Sequence, residues 1–105
     1  MPKYRIFRTA SYDEDYKKLD YSEQTRVDKI IDTLFDTGDV TGKPLGVSFF
    51  REKKFGGKRI LYLVYRQISV ILLLAITDKK TQQATINEIL SNLPEYQRYV
   101  LSRLK

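Results

Sequence analysis

Residues 68–77 read ISVILLLAIT, and this run restricts the fold more than any other stretch. Alternate side chains of a strand face opposite ways. Here both alternating sets are apolar and rich in β-branched residues, so both faces must be covered. The spacing predicts a central strand, from Ile68 to Thr77. Two further strands are expected before it, Phe49–Phe55 and Lys58–Tyr65. Gly56-Gly57 and Arg66-Gln67 separate the three, and both are short enough for antiparallel hairpins. The whole apolar run from Ile60 to Ile76 is broken by Arg66-Gln67 and is short for a bilayer span.

The residues before the strands carry helical periodicity. Lys3–Phe7 alternates like a short strand. Thr9 or Ser11 can then cap a helix with Asp13, Glu14 and Asp15 in its first turn and Lys17 and Lys18 in its last, an order that suits the helix dipole. Tyr12, Tyr16 and Leu19 are its inward residues. Asp20-x-x-Glu23 is a capping box opening a second helix. Val27, Ile30, Ile31, Leu34 and Phe35 form its buried stripe, and Gly38 ends it. Thr41–Gly46 is a loop by its Gly and Pro content. After Asp78-Lys79-Lys80 a helix is expected from about Thr81 to Leu90, and Pro94 starts a last short one. The expected architecture is α+β in the order β-α-α-β-β-β-α. An N-terminal helical hairpin packs on an antiparallel sheet of about four strands, with a C-terminal helix following, all in one domain spanning 1–105. The partner of the first strand is not legible.

The chain has no cysteine and no histidine. That excludes a thiol nucleophile, a zinc–thiolate site and the usual proton shuttle near neutral pH. Chemistry must run on Lys, Arg, Tyr, Asp, Glu or the backbone; no metal and no cofactor are expected. Net charge is +6, and it is lopsided: residues 1–48 hold eight Lys/Arg against nine Asp/Glu, residues 49–105 eleven against four. Such asymmetry points to a polyanionic partner, nucleic acid first. The amino terminus has no signal-peptide pattern, so a cytoplasmic location without a membrane partner is expected.

The excess charge concentrates in FFREKKFGGKR, residues 49–59. A few lysines on an exposed strand prevent edge-to-edge pairing; five cations around one turn exceed that need. Arg matches a phosphate with a planar fork and Lys supplies a point charge. On RNA, the 2′-hydroxyl can attack the adjacent phosphorus, and fixed cations can stabilise the crowded centre. A lysine crowded by other cations gives up its proton more readily; Glu52 is a weaker candidate base. Arg51, Lys53 and Arg59 are expected to meet on one surface of the hairpin, rimmed by Lys79 and Lys80.

Three segments carry a resemblance: YDEDYKKL…VDKIIDTLF, GKPLGVSFFREKKF, and GGKRILYLVY followed by ISVILLLAITDKK. In their order the chain resembles toxins of the RelE/ParE superfamily, the toxic half of type II toxin–antitoxin pairs, and the RelE-like branch most. The resemblance implies a ribosome-dependent, metal-independent mRNA endoribonuclease that inhibits translation. It further implies Lys53 or Lys54 as the proton-transfer group, Arg51 and Arg59 as phosphate and transition-state clamps, and Lys58, Lys79 and Lys80 as further phosphate contacts. The implied partners are a small, acidic, RelB-like antitoxin, with a toxin–antitoxin heterotetramer as a possible assembly, and the ribosome with its mRNA. Many nuclease members carry Tyr or His shortly after the last basic residue; Thr85 and Ile86 stand there instead, with Tyr96 or Tyr99 as substitutes. That departure keeps open the ParE-like alternative, non-catalytic inhibition of DNA gyrase. A non-toxic basic interaction domain is the third reading.

Overall fold

The computed structural model describes residues 3–38 and 42–104. Its strands are β1 (Arg5–Arg8), β2 (Lys43–Leu45), β3 (Val47–Phe55), β4 (Lys58–Tyr65) and β5 (Val70–Asp78); its helices are α1 (Ala10–Lys17), α2 (Tyr21–Thr37), α3 (Gln82–Ser91) and α4 (Leu93–Arg103). The sheet order is β1-β5-β4-β3-β2. β5 is therefore interior, and its residues Val70–Ala75 are all buried. No helix among the described residues is long and apolar enough to cross a membrane.

The local signals act as their chemistry dictates. The Thr9 hydroxyl accepts the Tyr12 N–H and caps α1. Asp20 and Glu23 make a reciprocal capping box on α2. Gly38, at φ 71°, closes α2 through its N–H to Leu34, a conformation that costs glycine little.

α1 and α2 cover one face of the sheet: Tyr12, Leu19, Val27 and Leu34 pack on Ile60, Tyr62, Val64, Ile71 and Leu73. α3 and α4 cover the other, where Ile86, Ile89 and Val100 meet Phe50, Leu61, Leu63, Leu72 and Leu74. The doubly apolar run thus finds helices on both sides. Each fully buried aliphatic side chain contributes on the order of 1.5–3 kcal/mol.

Three expectations need correction. The sheet has five strands, not four, and is mixed: β1 runs parallel to β5, with Arg5 opposite Val70 and Arg8 opposite Leu73. Parallel pairing demands a long crossover, and the two helices and the hairpins supply it. The extra strand, β2, falls within the expected Thr41–Gly46 loop, of which Thr41 lies outside the described residues. β2 pairs antiparallel with β3, and its Pro44 is tolerated because β2 is an edge strand. Arg66-Gln67 is also not a two-residue hairpin turn. Tyr65 pairs with Val70, and the chain reverses through a 3-10 turn at Arg66–Ile68 with Ser69 left-handed at φ 53°. A bulge shifts the β4–β5 register: Leu61 faces Ala75 while Tyr62 faces Leu73.

Candidate nucleic-acid interface

β3 and β4 are joined by a two-residue turn, so Phe55 pairs with Lys58, Lys54 with Arg59, Lys53 with Ile60 and Arg51 with Tyr62. Directly opposed residues share a face. Ile60 and Tyr62 belong to the core under α1 and α2, so Arg51 and Lys53 lie on that side of the sheet. Arg59 pairs with Lys54 and takes the side of Leu61, under α3 and α4. The expected meeting of Arg51, Lys53 and Arg59 on one surface does not occur. The reason is parity: a two-residue turn opposes an odd-numbered residue on one strand to an even-numbered one on the other, so Arg51 and Arg59 cannot share a face.

What gathers on the α3/α4 side is a different set. Arg59 is 8% exposed and Glu52 3%. The Arg59 Nε stands 3.4 Å from Glu52 Oε2, while Gln82, at the start of α3, donates its amide to Glu52 Oε1 at 2.5 Å. Arg59 Nε has no hydrogen-bond partner in its position; its attraction to Glu52 is Coulombic. Thr77 lies opposite Arg59 across β4–β5, 5% exposed, and its hydroxyl is likewise unpartnered. Two buried polar groups lacking partners on facing residues mark a place where a water or a ligand oxygen completes the bonding. Beside them opens a cavity of about 300 Å³ lined by Thr77, Thr81, Thr85, Glu88 and Tyr96, with Asp15 and Ser11 of α1 on its far wall.

Lys54 is exposed and stands across from Arg59 on this face. Lys79 and Lys80 are exposed in the turn after β5. Asp78, their predecessor, pairs with Lys58, so this turn rims the same end of the sheet. The Asp78 carboxylate accepts the Thr81 N–H at 3.0 Å, which holds its pKa below the ordinary value. Lys58 sits on the other face and is engaged: its Nζ binds Glu23 Oε2 at 2.8 Å, tying α2 to the hairpin. That bond, then the Asp20 N–H, lowers the Glu23 pKa. Arg51 donates to the carbonyls of Ser48 (2.9 Å) and Gly42 (2.7 Å), at the opposite end of β3 from the turn.

Of the two substitute tyrosines, Tyr96 lines the cavity beside Thr77. Its phenol pKa is raised by burial first and by Glu88 second. Tyr99 instead donates to the Arg8 carbonyl at 3.4 Å, away from that cavity's lining. Thr85 also lines the cavity and Ile86 is core. Gln82 and Thr77 were absent from the sequence candidates. Counting outward from the Gly56-Gly57 turn brings Glu52 and Arg59 to one face; the bulge in β5 prevents the same count from reaching Thr77.

No family model and no curated protein sequence matches this chain. Solved structures do. The RelBE2 toxin–antitoxin complex of Mycobacterium tuberculosis contains a chain similar at 20% identity and a TM-score of 0.64, over 74% of this chain and 100% of that one. A mutant of the Escherichia coli toxin RelE in the free state gives 13% identity and a TM-score of 0.69, over 83% and 93%. The RelB–RelE antitoxin–toxin complex of Methanococcus jannaschii gives 14% and 0.62, over 75% and 96%. The fold is RelE-like.

Proposed function

We propose that this chain, built on a RelE-like toxin fold, is the toxin of a toxin–antitoxin pair and cleaves mRNA on the ribosome. The observation that carries the reading is the Lys54–Arg59–Thr77 face: an exposed amine, a guanidinium held by Glu52, and unpartnered polar groups beside a cavity. The chemistry is transesterification within RNA. Lys54 takes the proton of the 2′-hydroxyl. The 2′-oxygen bonds to phosphorus, the bond from phosphorus to the 5′-oxygen breaks, and that oxygen takes a proton from water. The products are a 2′,3′-cyclic phosphate and a 5′-hydroxyl end. Arg59 stabilises the charge gathering on phosphorus, and Glu52 with Gln82 positions it. Lys79 and Lys80 hold flanking phosphates. Arg51 and Lys53, on the other side of the sheet, are outside this step. The partner that silences the toxin is a small acidic protein, drawn by complementary charge; RelB antitoxins accompany the toxins in the M. tuberculosis and M. jannaschii complexes.

The Glu52–Arg59 pair also favours a second reading. A guanidinium already neutralised and 8% exposed suits a surface that blocks a target without cutting RNA, as in ParE-like inhibition of gyrase. One experiment separates the two. On induction, the first reading expects transcripts cut at 5′-hydroxyl ends, and Arg59→Ala restores growth while circular dichroism shows a folded protein. Growth arrest with intact transcripts and altered plasmid supercoiling would overturn cleavage and select the second.

A further inference from the structure

The cavity beside Thr77 opens where β5 has lost its strand neighbour. β1 stops at Arg8, opposite Leu73, so Leu74 to Thr77 border α1 and α3 instead, and a space of about 300 Å³ lies between them. That is the low end of the range for small-molecule sites, with room for one planar ring system. Charge is ordered across it. Lys54, Arg59 and Thr77 stand in one row over β3, β4 and β5, about 10 Å from end to end at the usual strand spacing. Cations hold the β3–β4 end of the row; beyond Thr77 the cavity walls carry the carboxylates of Asp15 and Glu88. A phosphate is drawn to the first and repelled by the second, so the part of a nucleotide that can enter the cavity is its base. Tyr96 supplies a ring on the wall, close enough to Glu88 for that carboxylate to raise its phenol pKa after burial has done so. Thr77, 5% exposed, brings an unpartnered hydroxyl, an independent sign that a polar ligand atom completes the bonding there. Asp15 already holds the Ile76 N–H. The Glu88 carboxylate has no ion pair or hydrogen bond among the described residues.

We infer that this cavity is a base-reading pocket, in which one nucleobase stacks on Tyr96 and donates a hydrogen bond from its amino group to Glu88. An ionised carboxylate only accepts. Cytosine and adenine present an exocyclic amine, and guanine a ring N–H beside one. Uracil presents a single N–H between two carbonyl oxygens, which face the Glu88 charge unfavourably. The pocket therefore takes bases that bear an amino group and disfavours uracil, since the wrong base leaves the carboxylate unpaired. The inference deepens the RNA-directed reading above and rests on it for the substrate. Glu88 selects the base beside the scissile bond and takes no part in breaking that bond.

The test titrates the full chain with end-labelled 2′-O-methyl oligomers of cytosine, adenine or uracil, which cannot be cleaved. It reads fluorescence anisotropy and the Thr77 and Thr85 amide resonances. The cytosine and adenine oligomers are expected to bind about tenfold more tightly than the uracil one, the scale of a hydrogen bond to a charged group. Glu88→Gln, at an exposed position on α3, is expected to bring the three within about twofold, because an amide both donates and accepts. Tyr96→Leu keeps an apolar side chain on α4 and weakens all three alike by about tenfold, stacking being tolerant of sequence. The titration does not depend on cleavage. Intact transcripts on induction, with a preference that Glu88→Gln abolishes, overturn cleavage and keep the pocket. Cut transcripts, with three oligomers binding equally, overturn the pocket and keep cleavage. A preference that survives Glu88→Gln, indifference to Tyr96→Leu, or no binding of any oligomer up to millimolar concentration also overturns the pocket.

Discussion

Glu52 is the residue on which the candidate site turns. It is almost fully buried, and its two oxygens divide between Arg59 and Gln82. Removing one partner of a buried pair strands the other charge, which costs about 3–5 kcal/mol. Glu52→Ala is therefore expected to lower the urea midpoint by an amount corresponding to that loss; an unchanged midpoint would mean that Arg59 is already compensated elsewhere. A second residue-scale effect concerns the buried phenols. Burial pushes the Tyr65 pKa up to about 12, and that of Tyr12 higher still; neither hydroxyl has a partner. In the unfolded chain a tyrosine ionises at about 10. The folded state holds the proton to higher pH, so the contribution is complete below about pH 10 and fades as pH climbs toward 12. Tyr65→Phe should flatten that alkaline decline in a stability–pH profile and, by deleting an unsatisfied hydroxyl, should leave neutral-pH stability level or slightly raised.

At the scale of elements, β5 outruns its neighbour. β1 ends at Arg8 opposite Leu73, leaving the next residues of β5 without a strand on that side. α1 supplies the substitute: the Asp15 carboxylate accepts the Ile76 N–H at 2.9 Å, and the Thr9 hydroxyl donates to the Leu74 carbonyl at 2.9 Å. Asp15→Ala is expected to cost about 1–3 kcal/mol, the range for a half-buried hydrogen bond to a charged group left unmade. Amide exchange at Ile76 should speed up while that at Leu72 does not. Much of this scale was legible in the sequence. The capping box at Asp20 and Glu23, the stop at Gly38 and the bounds of Lys58–Tyr65 follow from local chemistry, because caps and alternation act within a few residues. The KPL strand was hidden because proline and glycine signals mark it as loop, whereas an edge strand tolerates both. The neighbour of β1 was hidden because pairing between residues 5–8 and 70–73 is decided by packing across the whole chain. The separation of Arg51 from Arg59 was legible and misread: the two-residue turn alone fixes which side chains share a face.

For the molecule as a whole, charge and topology act together. The cations that rim the candidate face, Lys54, Lys79 and Lys80 with Arg59, offer about four phosphate contacts. The logarithm of RNA affinity should then fall against log salt with a slope near −3, about −0.7 per contact. Lys79→Gln with Lys80→Gln should flatten the slope by about 1.4. A complex indifferent to salt would remove electrostatics from the account.

The parallel pairing of Arg5–Arg8 with Val70–Leu73 carries a consequence for biosynthesis. The opening strand has no sheet to join until translation has passed the interior strand that receives it. A nascent chain therefore stays unclosed until β5 has been made, and a product cut short before that point lacks both the sheet's centre and the face that α3 and α4 complete. A cell making this protein would meet the finished surface only after α4 had been translated.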